Sequence, residues 1–409
     1  MQTATTGKKT ESVAIPEPGG LAALPPFDFQ PRTRVIFGAG SLASLGSVVQ
    51  DLGGRRVLLV TDPGLKQIGV SEAAAEVLRA AGIAVHVFDQ VPQNPTTADV
   101  DRCTEFARPW KADLLVGLGG GSSLDCAKGA NFLLTNGGRM HDYRGTGKAT
   151  KPMLPMIAVP TTSGTGSEAQ SYAVIADAET HMKMACGDPK ATCRVAILDP
   201  ELTVTMPEFV TAATGIDAMT HALESYVTTR RNPISQMYAR QAWELLSGAF
   251  PAVLNQPGSI EARGRMQLGA FLAGMAIETS MLGAAHAAAN PLTAQFGTVH
   301  GVAVGLLMPP VIRWNASAVP DLYRDLARTA GWVKVAGDSR SDAEVLADGF
   351  TELRQRSRLP GTLTEVNGSR PDNAVIEKLA ADAVNQWTGT FNPRRMDRTA
   401  FVRLSREIL

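Results

Sequence analysis

The sequence predicts an α/β domain built on a mostly parallel sheet, followed by an all-helical domain. Three observations carry this. Between residues 34 and 200, short Val-, Ile- and Leu-rich runs alternate with amphipathic segments, as expected of strands covered on both faces by helices. After Pro200 the strand-like runs stop and helical periodicity takes over, with Pro207 close behind. The chain has 409 residues, which at roughly 150 per domain allows two or three separate cores. These features divide it into a flexible tail over 1–28, an α/β domain over 29–205 and a helical domain over 206–409.

The opening residues mix Thr, Lys, Pro and Gly and lack the apolar run of a signal peptide, hence the loose tail. Six runs then read as buried strands: TRVIF, RRVLLVT, AVHVF, DLLVGLG, MIAVP and RVAIL. Between them SLASLGSVVQDL, SEAAAEVLRAAG, TADVDRCTEFAR and SLDCAKGANFLLT read as helices. The second half yields TAATGIDAMTHALESYVT, ISQMYARQAWELLSGAF, EARGRMQLGAFLAGMAIETSML, HGVAVGLLMPPVIRWN, DLYRDLARTA, SDAEVLADGFTELRQRS, NAVIEKLAADAVNQ and FVRLSREI, all with helical spacing. The stretch 268–289 is apolar and approaches the ~30 Å of a bilayer core. Glu278 and His286 interrupt it and its bulk is Ala and Gly, so it reads as a long buried helix rather than a membrane span.

Charge and composition narrow the function. The 39 basic and 39 acidic residues cancel, and no Lys/Arg block is longer than a pair, so nothing marks a nucleic-acid or anionic-membrane surface. A small-molecule partner is the better reading. Cys103, Cys126, Cys186 and Cys193 show no CxxC spacing and make neither a disulfide framework nor a zinc ribbon, which suits a reducing, cytoplasmic setting. With only 6 His in the chain, any His that falls into a pattern is informative.

Three motifs carry chemistry. LLVGLGGGSSLDCAKGA places glycines between a strand and a helix, where backbone N–H groups and the positive end of the helix suit a diphosphate; tight packing alone would also use glycine there. PTTSGTGSE, residues 160–168, follows the strand MIAVP with many hydroxyls and amides suited to a phosphate or ribose, although a polar surface turn has the same composition. Both loops end predicted parallel strands, the edge where open α/β sheets bind ligands. In TGIDAMTHALES, Asp217 and His221 are four apart and share a helix face, able to hold one divalent ion or to form a plain surface hydrogen bond. His286 and His300 follow in apolar, small-residue surroundings, so Asp217, His221, His286 and His300 make up a four-ligand set; hydrogen-bonded core histidines are the alternative. His86, His141 and His181 lie in the α/β half and read as surface or packing residues.

Taken in order, GGGSSLD, PTTSGTGSE, DAMTHALE and HAAAN...HG resemble the iron-containing (group III) alcohol dehydrogenase family, from about Phe29 to the end of the helical domain. The resemblance implies a dinucleotide-binding α/β domain, a helical metal-binding domain, an active site in the cleft between them, and a homodimer. Asp217, His221, His286 and His300 match the family's metal ligands, the ion being usually Fe(II) and sometimes Zn or another divalent metal. Gly120, Gly121, Ser122 and Asp125 match positions around the cofactor diphosphate. Thr161, Thr162 and Thr165 match the second loop, and Asn94, Tyr172 and Lys183 match further cofactor-side positions. Asp62 resembles the acid beside the adenosine ribose; a carboxylate there accepts from a 2′-hydroxyl and repels a 2′-phosphate, which favours NAD over NADP.

The sequence departs from the family at one position. Many members carry a second His four residues after the third ligand, where this chain has Asn290. Helical spacing puts Asn290 on the face of His286, pointing into the pocket; an amide holds a hydroxyl but does not titrate near neutrality. Glu278, two turns earlier on the same long helix, is either a charged substitute or a residue buried against a neighbour. The implied reaction is reversible hydride transfer between a small alcohol, activated by the metal, and the nicotinamide. Two alternatives stand beside it. One is a dehydroquinate synthase-like lyase using NAD and metal, which needs a basic cluster that the sequence does not show around His221, His286 and His300. The other is a non-catalytic NAD- or metal-binding protein.

Overall fold

The computed structural model describes residues 24–335 and 337–409. Most of the expected tail over 1–28 lies outside these residues; positions 24–28 are exposed and have no regular secondary structure.

The α/β half contains strands β1 (Arg34–Phe37), β2 (Arg56–Val60), β3 (Ala84–Phe88), β4 (Leu114–Gly119), β5 (Gly145–Thr146), β6 (Met156–Pro160), β7 (Tyr172–Ala176), β8 (Lys183–Gly187) and β9 (Val195–Leu198). Six form one parallel sheet in the order β1-β9-β6-β4-β2-β3. They are the six runs expected from the sequence. Their apolar character follows from position, since β4 and β6 are buried at every residue between layers of helices. The layers are α1 (Leu45–Asp51), α2 (Pro63–Gln67), α3 (Val70–Ala80), α4 (Thr97–Ala107) and α5 (Gly121–Asn136). Separate cores lie on the two sheet faces, one around Leu58, Leu115 and Phe132, the other around Leu59, Val116 and Leu78.

A second sheet, β5-β8-β7, has no counterpart in the sequence-based reading. β7 and β8 pair antiparallel, with Tyr172 opposite Gly187 and Ala176 opposite Lys183. Their runs are short and carry polar residues, and the turn between them is organised by Asp177, whose Oδ1 accepts from Glu179 N and Thr180 N. Such side-chain-built turns leave little hydropathy signal.

The helical half comprises α6 (Glu208–Val227), α7 (Pro233–Asn255), α8 (Ile260–Thr279), α9 (Ala284–Phe296), α10 (His300–Asn315), α11 (Pro320–Thr329), α12 (Asp342–Arg356), α13 (Leu363–Asn367), α14 (Asn373–Val384) and α15 (Arg398–Glu407). Start signals are evident: Asn232 accepts from Ile234 N and Ser235 N ahead of Pro233, and Ser341 and Glu344 form a capping box on α12. α6 is buried on almost every side over Thr211–Val227 and packs against α7, α8 and α10.

The long helix expected over 268–289 is in fact two. α8 stops at Thr279, the chain turns by 104°, and α9 starts at Ala284. The break falls at Ser280 (φ −141°, ψ −116°) and Gly283 (φ −141°, ψ −145°), whose backbone lies outside the helical region. Composition could not reveal it, because the side chains that stabilise the break come from elsewhere in the chain. Among the described residues no single helix is long and apolar enough to cross a membrane.

α8 also joins the two halves. Gln267 Nε2 donates to Pro160 O at 3.0 Å, and Glu278 Oε2 accepts from both Ser171 N and Ser171 Oγ at 3.0 Å. Between these contacts the backbones of Gly166 and Gly274 meet so closely that a Cβ on Gly274 would lie 2.5 Å from Gly166 O. Glu278 is half-buried, and its hydrogen bonds tie it to Ser171 across the two halves.

Candidate metal and cofactor site

Asp217 and His221 project from one face of α6, and the break before α9 brings His286 against them. Their candidate ligand atoms all lie within 4.8 Å of one another. Asp217 Oδ1 stands 3.5 Å from His221 Nε2, 3.5 Å from His286 Nε2 and 3.8 Å from His300 Nε2, the last supplied by the first residue of α10. Donors at ~2.1 Å from one tetrahedral centre are separated by ~3.4 Å, so this spacing suits a shared ion better than mutual hydrogen bonds. Asp217, His221 and His286 are buried, whereas His300 is half-buried at the rim.

The outward ring nitrogens of His221 and His286 are held in place, whereas that of His300 makes no hydrogen bond. His221 Nδ1 is 3.3 Å from Gly164 O, and His286 Nδ1 is 2.6 Å from Glu224 Oε2. Asp217 Oδ1 and His286 Nε2, both fully buried, make no hydrogen bond. Unpartnered polar atoms in an interior are costly unless something binds them, and here they converge. The donor set of one carboxylate and imidazole nitrogens suits a borderline divalent ion. Asp217, His221 and His286 thus form a divalent-metal site.

Protonation agrees with this. Burial pushes His221 down to about 4 against the pull of Asp217, leaving a neutral imidazole. Burial acts against ionised Asp217, but the surrounding imidazoles hold its carboxyl well below the usual range. Burial likewise opposes a charged His286, yet the carboxylates of Asp217 and Glu224 raise it to about 9. The pocket draws positive charge to its centre. His300 is pushed down by burial and by the nearby Lys183 ammonium.

The dinucleotide-type loops gather at the C-terminal edge of the large sheet. Gly119 has φ +144°, and a Cβ there would lie 2.5 Å from Ser123 Oγ; a Cβ on Gly121 would lie 2.7 Å from Thr165 Cγ2. Glycine therefore lets the loop after β4 lie directly against the loop after β6, with Thr161 N donating to Gly119 O at 3.1 Å. Gly120, at the N-cap of α5, faces Thr162. Ser122 Oγ accepts from Asn94 N at 3.2 Å, and Ser167 Oγ donates to Asp125 Oδ1 at 2.6 Å. Asp62 follows β2, caps α2 by accepting from Leu65 N at 3.0 Å, and lies 3.5 Å from Ser123 Oγ.

Asp62, Asn94, Gly120, Gly121, Ser122, Asp125, Thr161, Thr162 and Thr165 are thus brought to one sheet edge. Tyr172 and Lys183 sit at opposite ends of the β7–β8 pair. Lys183 is close enough to Asp217 and His300 to feel and alter their charge, while the Tyr172 ring lies 6.1 Å from that of Trp387. Asn290, one turn after His286, donates from Nδ2 to Gln386 Oε1 at 3.0 Å.

Two side chains at the site were given no role in the sequence. Glu224 lies seven residues after Asp217, hence on the same helix face, a spacing that the sequence does contain. Lys128 is fully buried, and its Nζ lies within 2.6–3.0 Å of Ser167 O, Ser167 Oγ, Gln170 O and Tyr172 O, tying the second loop to α5. A lysine in an apolar run was the only hint of it.

Comparison with known proteins accords with this arrangement. Residues 31–200 match the family described as iron-containing alcohol dehydrogenase, and 211–409 match the C-terminal domain of the Fe-containing alcohol dehydrogenase family. The NAD-dependent methanol dehydrogenase of Bacillus methanolicus is 33% identical over 90% of this chain and 95% of its own. Lactaldehyde reductase of Escherichia coli (strain K12) is 36% identical over 88% and 93%. A crystal structure of 1,3-propanediol oxidoreductase superposes with a TM-score of 0.90 at 32% identity, covering 94% of this chain and 100% of that one. With the buried Asp–His cluster and the paired dinucleotide loops in the order the family requires, the chain belongs to the iron-containing alcohol dehydrogenase family.

Proposed function

We propose that the protein is an NAD(H)-linked, metal-dependent alcohol dehydrogenase and aldehyde reductase for small, uncharged substrates. The observation that carries the reading is the convergence of two unpartnered buried atoms, Asp217 Oδ1 and His286 Nε2, in a protein with a dinucleotide-type sheet edge. The overall change is alcohol plus NAD⁺ to carbonyl compound plus NADH and a proton, with hydride passing from the substrate carbon to the nicotinamide ring.

In this reading Asp217, His221, His286 and His300 hold the ion, with Fe(II) favoured by the family and Zn or another divalent metal compatible with the same donors. When bound, the ion supplies Lewis-acid polarisation of the alcohol or carbonyl oxygen. Gly120, Gly121 and Ser122 seat the diphosphate against backbone N–H groups at the start of α5, with Asp125 and Thr161, Thr162 and Thr165 completing the wall. Asp62 accepts from the ribose hydroxyl, which selects NAD. Asn94, Tyr172 and Lys183 line the cofactor side. Asn290 offers an amide to the substrate without moving a proton, its orientation set by Gln386. Domain limits of 29–205 and 206–409 go with this division of labour.

A cytoplasmic setting is supported by four free, buried cysteines, and a homodimer by the partly exposed Val35 and Phe37 on edge strand β1. The relatives named above act, by their names, on methanol, lactaldehyde and 1,3-propanediol, so the substrate sought is a short alcohol, diol or aldehyde. The test is an NADH absorbance assay across short primary alcohols, diols and their aldehydes, after loading metal-free protein with Fe(II), Zn(II) or Co(II). Turnover that needs added metal is expected. Equal turnover without metal would sink the metal-dependent reading, and tight NAD binding with no turnover would favour a non-catalytic protein. The lyase alternative finds no support in the relatives.

A further inference from the structure

We propose that Glu224 is a positioning residue for the metal, holding His286 in the ligating orientation and supplying the second negative charge that a buried divalent ion requires. This deepens the metal-site reading and rests on it. Glu224 lies one turn beyond His221 on the same face of α6 and is only 2% exposed. Its carboxylate oxygens are committed: Oε2 meets His286 Nδ1 at 2.6 Å and accepts from Gly283 N at 3.0 Å, and Oε1 accepts from Ala285 N at 2.7 Å. An acceptor on Nδ1 assigns the ring proton to that nitrogen, which leaves the lone pair of Nε2 facing Asp217.

The charges agree with the geometry. Asp217 and Glu224 place two carboxylates in the interior, whose charge matches that of a divalent ion held by neutral imidazoles. The N–H groups of Gly283 and Ala285, at the start of α9, point at the Glu224 carboxylate. A purely mechanical task would not need that charge. The mechanical task is shared in any case by Asn392, whose Oδ1 accepts from Ala284 N at 3.3 Å and from Asn315 Nδ2 at 3.0 Å, while its Nδ2 donates to Asn315 Oδ1 at 2.7 Å. Asn392 braces the same helix start without touching His286 through any of these bonds.

That division sets the test. Full-length wild type, E224Q, E224D and N392A are prepared metal-free, and Co(II) uptake is followed by its visible absorption with a competing chelator; the Tm of each metal-free protein is measured alongside. Glutamine has one acceptor oxygen, so it cannot serve both His286 and the two backbone N–H groups and it carries no charge. E224Q is expected to bind Co(II) about 10–100-fold more weakly with a shifted spectrum. E224D keeps the charge and should lose less, and N392A should lower Tm while leaving Co(II) affinity near that of wild type. Wild-type affinity and spectrum in E224Q would overturn the inference, whatever its Tm. Should E224Q not fold, E224D decides against N392A: greater loss of Co(II) affinity in E224D supports the positioning role, and equal loss in both reduces Glu224 to a helix brace. If wild type itself takes up no Co(II), the metal-site reading falls and this inference with it.

Discussion

At the edge of the large sheet, much of what is offered to a ligand is backbone: glycines at 119–121, exposed amides, and the start of α5, with short hydroxyl side chains around them. In the helical half, the ligand atoms are side chains of buried residues on α6 and α9, with one more at the start of α10, and the backs of His221 and His286 are fixed by further groups. The difference teaches where each region is vulnerable. A backbone-lined edge fails when something fills the space that glycine leaves open. A buried side-chain cluster fails when one member is removed, because the remaining charges lose their partner.

The sharpest way to break this comparison is His286→Ala. Loss of one ligand at the buried end should abolish metal binding and lower kcat/KM by about 10³-fold or more, the equivalent of several kcal/mol of Lewis-acid stabilisation. NAD binding, measured by fluorescence titration, should survive, since the sheet edge is built separately. Loss of both would mean that the two regions are not independent.

Glu168, in the loop that joins them, comes next. Burial raises its carboxyl from the ordinary 4.5 to about 7 despite the nearby Lys128 ammonium and its own backbone N–H. A folded-state value above the unfolded one means that the folded protein binds this proton more tightly. Its contribution to stability is therefore greatest below about pH 4.5 and declines as pH rises to about 7. Glu168→Gln should be more stable than wild type by up to about 3 kcal/mol at pH 8, with the gap shrinking to about 1 kcal/mol at pH 5, in urea melts at both pH values. A gap independent of pH would show that packing, not ionisation, separates the two proteins.

At the sheet edge, Gly121→Ala places a methyl 2.7 Å from Thr165 and must part the two loops. The expected result is a rise of about 10–30-fold in the Kd for NAD, or ~1.4–2 kcal/mol, with metal content unchanged. Asp62→Ser is the gentlest probe. Serine still caps α2, so Tm should stay within a few degrees, while loss of the carboxylate should shift the NADP-to-NAD ratio of kcat/KM about 10-fold towards NADP. An unchanged ratio would remove Asp62 from cofactor selection.

Much of the fold was open to reading. The central strands of the large sheet announced themselves because burial on both faces demands unbroken apolar runs, and α6 announced its ligands because a spacing of four needs only local helix geometry. The β7–β8 pair escaped because its strands are short and its turn is built by Asp177. The 268–289 segment was misread as continuous because Ala and Gly favour any buried helix, whereas the break after Thr279 depends on Glu224 and Asn392, far away in the chain.

Local chemistry alone therefore determined the order of strands and helices, the two glycine- and hydroxyl-rich loops, and the Asp217–His221 pair, since each is encoded within about a dozen neighbouring residues. Only the tertiary structure decided how these parts meet. It turned the chain by 104° before α9 so that His286 faces Asp217, left two atoms without partners where the imidazoles converge, and set Glu224 behind them. Those decisions rest on contacts between residues some sixty or more positions apart, which no local pattern records.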